Sequence, residues 1–222
     1  MALASKVQAL GREVDDARKR PWLAKLVVGA PRKEKRMKAL RALLAVAWGA
    51  FFLFPIFPQE IHLRILAATG TADEVREALI NSTEITKTDF NGVSALMLAA
   101  SSNHDPAVIA LLVSAGADVN ARSVTGETAL IYAAESNPNP GTVLALLKAG
   151  ASLYDRDGLG RTPLMAAAWG NSNPAVIFAL LKVGADAKAK NYLGKNALDY
   201  ARENPAFSRD GDAYRSLEEA IK

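Results

Sequence analysis

The sequence predicts an all-α repeat solenoid: helix-turn-helix units stacked in line, joined by hairpin loops and preceded by one apolar helix. Three observations predict it. Glycines recur 34 residues apart at Gly92, Gly126, Gly160 and Gly194. Two residues after each stands a short polar side chain (Ser94, Thr128, Thr162, Asn196), followed by Ala-Leu or Pro-Leu. A second glycine series, Gly116, Gly150 and Gly184, keeps the same period. Two series in one register define an internal repeat, and repeats of this length are the sequence mark of stacked architectures.

The N-terminal third comes first in chain order. Residues 1–41 hold 12 Lys/Arg against 4 Asp/Glu, whereas the rest holds 15 against 19. The basic character of the chain therefore belongs to an N-terminal arm, residues 1–36, and the body is acidic. Leu3, Val7, Leu10, Val14 and Ala17 recur at helical spacing in that arm. A transmembrane or signal-anchor helix is expected over 37–58. Its heart is an uncharged run of 17 residues, Ala42 to Pro58, with four phenylalanines and Trp48. A spanning helix needs about 20 apolar residues, with roughly 17 as the short limit. Lys38 and Arg41 can snorkel to lengthen it, and Pro55 and Pro58 end it. Arg32, Lys33, Lys35 and Arg36 crowd its N-terminal side, so the positive-inside rule sends the body to the periplasmic or exoplasmic side. The alternative is a helix packed on the repeats in a cytoplasmic protein. Met37-Lys38-Ala39-Leu40-Arg41 also reads as a start site with a signal-peptide pattern. No small-x-small cleavage site follows, so an uncleaved anchor is expected.

The repeats follow. An N-terminal capping half-repeat is expected over 59–88, three full units over 89–190, and a C-terminal capping repeat over 191–222. Within a unit, Ala129 to Ser136 reads as one short helix. Asn139-Pro140 opens a second, since Asn suits an N-cap and Pro the first helical position. Asp105-Pro106 and Asn173-Pro174 repeat that logic. Val143, Leu146 and Leu147 supply a buried face, and Gly150 ends the helix in a left-handed conformation. The half-repeat has Asn81-Ser82 where the others have this glycine, and a loop over 205–212 is inserted near the end.

Val-Thr-Gly-Glu-Thr-Ala-Leu-Ile-Tyr-Ala-Ala at 124–134 resembles the ankyrin-repeat signature, as does Gly-Leu-Gly-Arg-Thr-Pro-Leu-Met-Ala-Ala-Ala at 158–168. Leu-Leu-Val-Ser-Ala-Gly-Ala-Asp-Val-Asn at 111–120 resembles the second helix of that family and the chain leading to the next hairpin. The period here is one residue longer than is usual in the family, with the extra residue between the two helices. The family's histidine after Pro-Leu is replaced by Met97, Ile131, Met165 and Asp199, which puts its inter-loop hydrogen bond in question. The resemblance implies a protein partner, bound by the hairpin tips and the concave inner-helix face. The tip residues are Phe90, Asn91, Val124, Leu159 and Tyr192. Val93, Glu127, Arg161 and Lys195 each follow a hairpin glycine. Met97, Ile131, Met165 and Trp169 are expected to line the concave side. Aromatic and methionine side chains are common interface anchors.

Catalysis is not expected. The chain has no cysteine and two histidines, His62 and His104. These cannot form a thiolate site, and no His-Glu-x-x-His occurs. Gly158-Leu159-Gly160 lacks the lysine and third glycine of a phosphate loop. Asp155 with Asp157, and Asp210 with Asp212, lack the spacing and closing glutamate of a calcium loop. No cofactor, metal or nucleic acid is expected, and the chain is expected to be monomeric. The function expected is a membrane-anchored interaction module, with a regulatory inhibitor or protective chaperone of one exported enzyme as the alternative.

Overall fold

The computed structural model describes residues 59–80, 85–207 and 211–222, with side chains from Leu63 onward. The chain divides into two units, Met1–Phe57 and Pro58–Lys222, and the described residues all belong to the second. The basic arm, the apolar segment and the Asn81-Ser82 helix end expected above lie outside them.

Among the described residues ten helices run in order: α1 (Gln59–Thr69), α2 (Ala72–Ile80), α3 (Ala95–Ser102), α4 (Pro106–Ser114), α5 (Ala129–Ser136), α6 (Pro140–Lys148), α7 (Pro163–Gly170), α8 (Pro174–Lys182), α9 (Ala197–Glu203) and α10 (Asp212–Ile221). The odd-numbered inner helices pack on one another in chain order, and the even-numbered outer helices do the same behind them. This is the expected helical repeat stack. The first pair has both helices, so residues 59–80 stack as a complete helical layer.

Local chemistry explains the helix ends. Asp105, Asn139 and Asn173 each accept the backbone N–H two residues on, at 2.9, 2.8 and 3.0 Å, and a proline follows each at the first helical position. That satisfies one orphan donor where proline removes another. The outer helices stop in a paired closure. In α4, Ala117 N–H reaches back to Leu112 O and Gly116 N–H to Val113 O, both at 3.0 Å. Gly116 takes φ +101° to allow this, a region that side chains with a Cβ rarely enter.

Each of the central inner helices, α3, α5 and α7, is covered by the inner helices beside it and the outer helix behind, so most of it is buried. Leu96, Met97, Leu130, Ile131, Leu164 and Met165 are fully enclosed, with Ala99, Ala100, Ala133, Ala134, Ala167 and Ala168 where backbones approach. The outer helices contribute Val108, Ile109, Leu112, Val143, Leu146, Val176, Ile177 and Leu180 to the same core.

A ladder of buried asparagines ties the layers together. Asn103 Nδ2 donates to Ala67 O and Gly70 O, both at 2.9 Å. Asn137 repeats this on Ala100 O and Asn103 O at 2.9 and 2.7 Å, and Asn171 on Ala134 O and Asn137 O at 2.7 and 2.9 Å. Asn204 closes the series on Ala168 O and Asn171 O. Each amide oxygen accepts a backbone N–H from its own loop, Asp105, Asn139, Asn173 or Ala206. These asparagines sit at the C-caps of the inner helices, where the last carbonyls have no intrahelical partner. The residue that lengthens the unit to 34 falls in this loop. A side-chain amide from the next layer thus replaces the water those carbonyls lost.

Two outcomes follow. Leu146→Ala, or Leu180→Ala, is expected to cost about 2–5 kcal/mol by cavity formation. Asn137→Ala strands two buried carbonyls and is expected to cost about 2–6 kcal/mol, at roughly 1–3 per unsatisfied group. Urea unfolding followed by circular dichroism measures both, and a midpoint equal to wild type contradicts the packing described.

Candidate protein-binding face

The hairpins between units are held from inside by one residue each. Asp89 Oδ1 accepts the N–H groups of Asn91 and Val93 at 2.9 and 2.8 Å, and Asp157 Oδ1 those of Leu159 and Arg161 at 2.9 and 2.8 Å. Asn191 does the same for Leu193 and Lys195, while Ser123 Oγ accepts Glu127 N–H. Burial pushes the Asp89 carboxyl up, but the two amides and the Arg64 guanidinium outweigh it and hold Asp89 below the usual aspartate range. Successive hairpins are joined through backbone: Val124 N–H to Asn91 O and Gly158 N–H to Thr125 O at 2.8 Å, and Tyr192 N–H to Leu159 O at 3.2 Å. These bonds link the loops without the histidine that the sequence lacks. The close approach requires glycine: a Cβ on Gly126 would lie 3.0 Å from Gly158 N, at a residue with φ +80°.

With stems and backbones satisfied, the tip side chains are left in water. Phe90 is fully exposed, Val124 77%, Leu159 55% and Tyr192 74%, with Leu193 beside it at 73%. Apolar side chains normally avoid such positions, and contiguous exposed ones mark interaction sites. Asn91 is exposed among them. Tyr192 lays its ring along Gly160 of the preceding hairpin, where a Cβ would be 2.9 Å from the ring.

The inner-helix face departs from the sequence reading. Met97, Ile131 and Met165 were expected to line it, but they are 1%, 0% and 0% exposed. The reason is geometric. An inner helix flanked on two sides and backed on a third keeps only a narrow stripe in solvent, and the residue after Ala-Leu or Pro-Leu points between neighbouring layers. The Met97 thioether turns back toward its own helix start and accepts Ser94 N–H at 3.4 Å. Val93 is also half-buried against the core. The stripe left partly in solvent consists of the exposed Ile65 and Trp169 and the half-buried Leu98, Ser101, Tyr132 and Glu135. Trp169 is 44% exposed and meets the Tyr200 ring edge-on, centroids 5.8 Å apart. Trp169 was legible in the sequence. Glu135, at the same repeat position 34 residues earlier, was not picked out, nor were Leu98, Tyr132 and Tyr200. A residue-by-residue overlay at period 34 on Trp169 points to Glu135.

Glu127 and Arg161 fall beside that stripe in one cluster. Arg161 Nε binds Asp157 Oδ2 at 2.6 Å, and its Nη2 lies 3.4 Å from Glu127 Oε1 and 3.2 Å from Glu135 Oε2. Three carboxylates thus share one guanidinium in a half-buried setting. Gly170 provides the room, since a Cβ there would meet the Glu135 side chain at 2.8 Å. Lys195 donates to Glu203 Oε1 at 2.7 Å and lies over the Tyr200 ring, whose hydroxyl accepts from Asn191 Nδ2 at 2.8 Å. Thirteen residues were expected to touch a partner. The structure exposes Phe90, Asn91, Val124, Leu159, Trp169 and Tyr192, half-buries Val93, Glu127, Arg161 and Lys195, and encloses the other three.

Nothing in this arrangement forms a catalytic constellation; among the described residues no group of three His, Cys, Asp or Glu side chains is placed to hold a metal ion. Helix pairs stacked in line with projecting, apolar-tipped hairpins define a protein-protein interaction module. Residues 63–157 match the family model for ankyrin repeats in three copies, and residues 146–201 that for ankyrin repeats in many copies. The chain belongs to the ankyrin-repeat family. No curated protein matches it.

Burial pushes the Glu135 carboxyl above the ordinary glutamate range; Glu127 and Asp157 add to the shift and Arg161 opposes it. The folded state then binds more protons than the unfolded state between the two values. Stability therefore falls as pH rises from about 4.3 through the raised value. Glu135→Gln removes that contribution, and Arg161 keeps Asp157. Melting temperatures measured across this range are expected to decline less with rising pH in the variant; an unchanged slope contradicts the assigned environment.

Proposed function

We propose that this protein is a membrane-anchored ankyrin module that holds a second protein beside the bilayer, with its repeats on the periplasmic or exoplasmic side. The observation that carries the binding half is the row of water-exposed apolar side chains on consecutive hairpins, Phe90, Val124, Leu159 and Tyr192, running beside Trp169. Exposing them costs solvation free energy that only a covering partner returns. Backbone bonds between hairpins keep the row in register, so little ordering entropy is lost on binding.

The anchoring half rests on the sequence. In the sequence the apolar run ends at Pro58, and α1 begins at Gln59. Among the described residues no helix is long and apolar enough to cross a membrane; the role is assigned to 42–58 on the apolar character of its sequence alone. Short tethering raises the effective concentration of a membrane-proximal partner without any new contact.

A labelling enzyme fused to the C-terminus in intact cells tests location and partner together. Marked exported or membrane proteins support the reading; marking confined to cytoplasmic proteins contradicts the placement. The captured partner is expected to bind Phe90→Ala/Tyr192→Ala at least about tenfold more weakly, in the range that loss of two anchors produces. The variant is expected to melt as wild type does. Unchanged capture contradicts the tip row as a contact surface.

A further inference from the structure

The inner-helix stripe has a charge imbalance that specifies the chemistry of its occupant. Four cations on or beside the inner helices are matched: Arg64 by Asp89 at 2.8 Å, Arg161 by Asp157 at 2.6 Å, Lys195 by Glu203 at 2.7 Å and Arg202 by Asp199 at 3.1 Å. Among the described residues, Glu127 and Glu135 have no cation of their own. They share, at 3.4 and 3.2 Å, the guanidinium already bound to Asp157. Glu135 Oε2 sits buried against that guanidinium without accepting a hydrogen bond. The stem of Glu135 crosses Gly170, the residue after Trp169, so the undercompensated carboxylate and the exposed indole stand at the same repeat position on two packed inner helices.

The apolar part of the stripe runs away from this point in one direction. Tyr132 lies one turn back on α5, then Leu98 on α3 and Ile65 on α1, the last 46% exposed. Packed helices lie about 8–10 Å apart, and an extended chain advances about 3.3 Å per residue. A strand laid across the inner helices therefore meets one layer for about every three residues.

We propose that the partner presents an extended segment whose arginine or lysine sits over Glu135 on α5, on the side that faces Trp169, with apolar residues about three and six positions away over Leu98 and Ile65. Arginine fits best, because its planar head stacks on an indole face while its edge donates to a carboxylate. The inference rests on the protein-binding reading and assigns the charge and spacing of the bound segment. It concerns α1 to α7, separate from the hairpin tips.

The test is selection of random twelve-residue peptides on the immobilised full chain in detergent. Enriched peptides are expected to carry Arg or Lys with an apolar residue about three positions away. Their affinity is expected to fall about tenfold in Glu135→Gln and in Trp169→Ala, to weaken as salt rises, and to change less than about twofold in Leu144→Ala on the outer helix α6. Thermal melts confirm that the variants are folded, and Glu135→Gln keeps the side-chain shape if Trp169→Ala does not. Neutral or acidic peptides, or affinity indifferent to Glu135→Gln, overturn the inference, as does a failure to enrich any peptide. Peptides that depend on Phe90 and Tyr192 instead overturn it while leaving the protein-binding reading intact, since that reading stands or falls on the cellular labelling. A synthetic peptide of residues 1–20, itself basic and apolar, runs in parallel. If it binds and loses affinity in the same variants, the groove belongs to the chain's own arm and the assignment to a second protein is overturned.

Discussion

The loop between the two helices of a unit is where each layer hands its unsatisfied backbone to the next. An inner helix of eight residues leaves a large share of its carbonyls without internal partners, and here those carbonyls face a neighbouring layer. The amides of Asn103, Asn137, Asn171 and Asn204 supply the missing donors. Each rung joins residues more than 30 positions apart, so these helix-end carbonyls find their side-chain donors in the next layer. The apolar core obeys the same rule: Leu130 and Leu164 are enclosed only when layers stand on both sides. Stability in such a stack is a sum of weak layers and strong junctions, and this one reinforces the junction with buried hydrogen bonds as well as packing.

The binding surface is a consequence of that arrangement. Stacking consumes three sides of every inner helix and leaves a strip one or two residues wide, while the hairpins project beyond the stack and are consumed by nothing. The chain places Phe90, Val124, Leu159 and Tyr192 on the hairpins and Trp169 on the strip. The positions carrying the core are filled mainly by alanine, leucine, valine, isoleucine and methionine, so surface identity varies without disturbing the stack. Division of labour between repeated core and variable rim is what lets one architecture serve many partners.

Much of this is legible from residues alone, because a stack repeats its solution. The period, the Asn-Pro and Asp-Pro helix starts and the glycine helix ends are local rules, and the structure realises them at Pro106, Pro140, Pro174, Gly116 and Gly150. The exposed tips are legible too, since apolar residues at turns contradict local preference. What the sequence hides is direction. Met97, Ile131 and Met165 look like surface methionine and isoleucine by analogy, yet which side of an eight-residue helix faces water depends on three neighbours, and periodicity within one helix cannot supply them. Asn103, Asn137 and Asn171 stand 34 apart in plain view, but an asparagine after a helix reads as a solvated cap until the next layer is in place. The sharing of Arg161 among Asp157, Glu127 and Glu135 likewise needs two layers at once.

The dependence of the stack on these rungs is most directly tested by solvent exchange of the asparagine side-chain amides in the nitrogen-15-labelled full chain in detergent micelles. Junctions closed as described predict that the Nδ2 protons of Asn103, Asn137 and Asn171 exchange as slowly as the backbone amides of α3, α5 and α7. Exchange as fast as that of the exposed Asn91 side chain contradicts a structure held together at these loops.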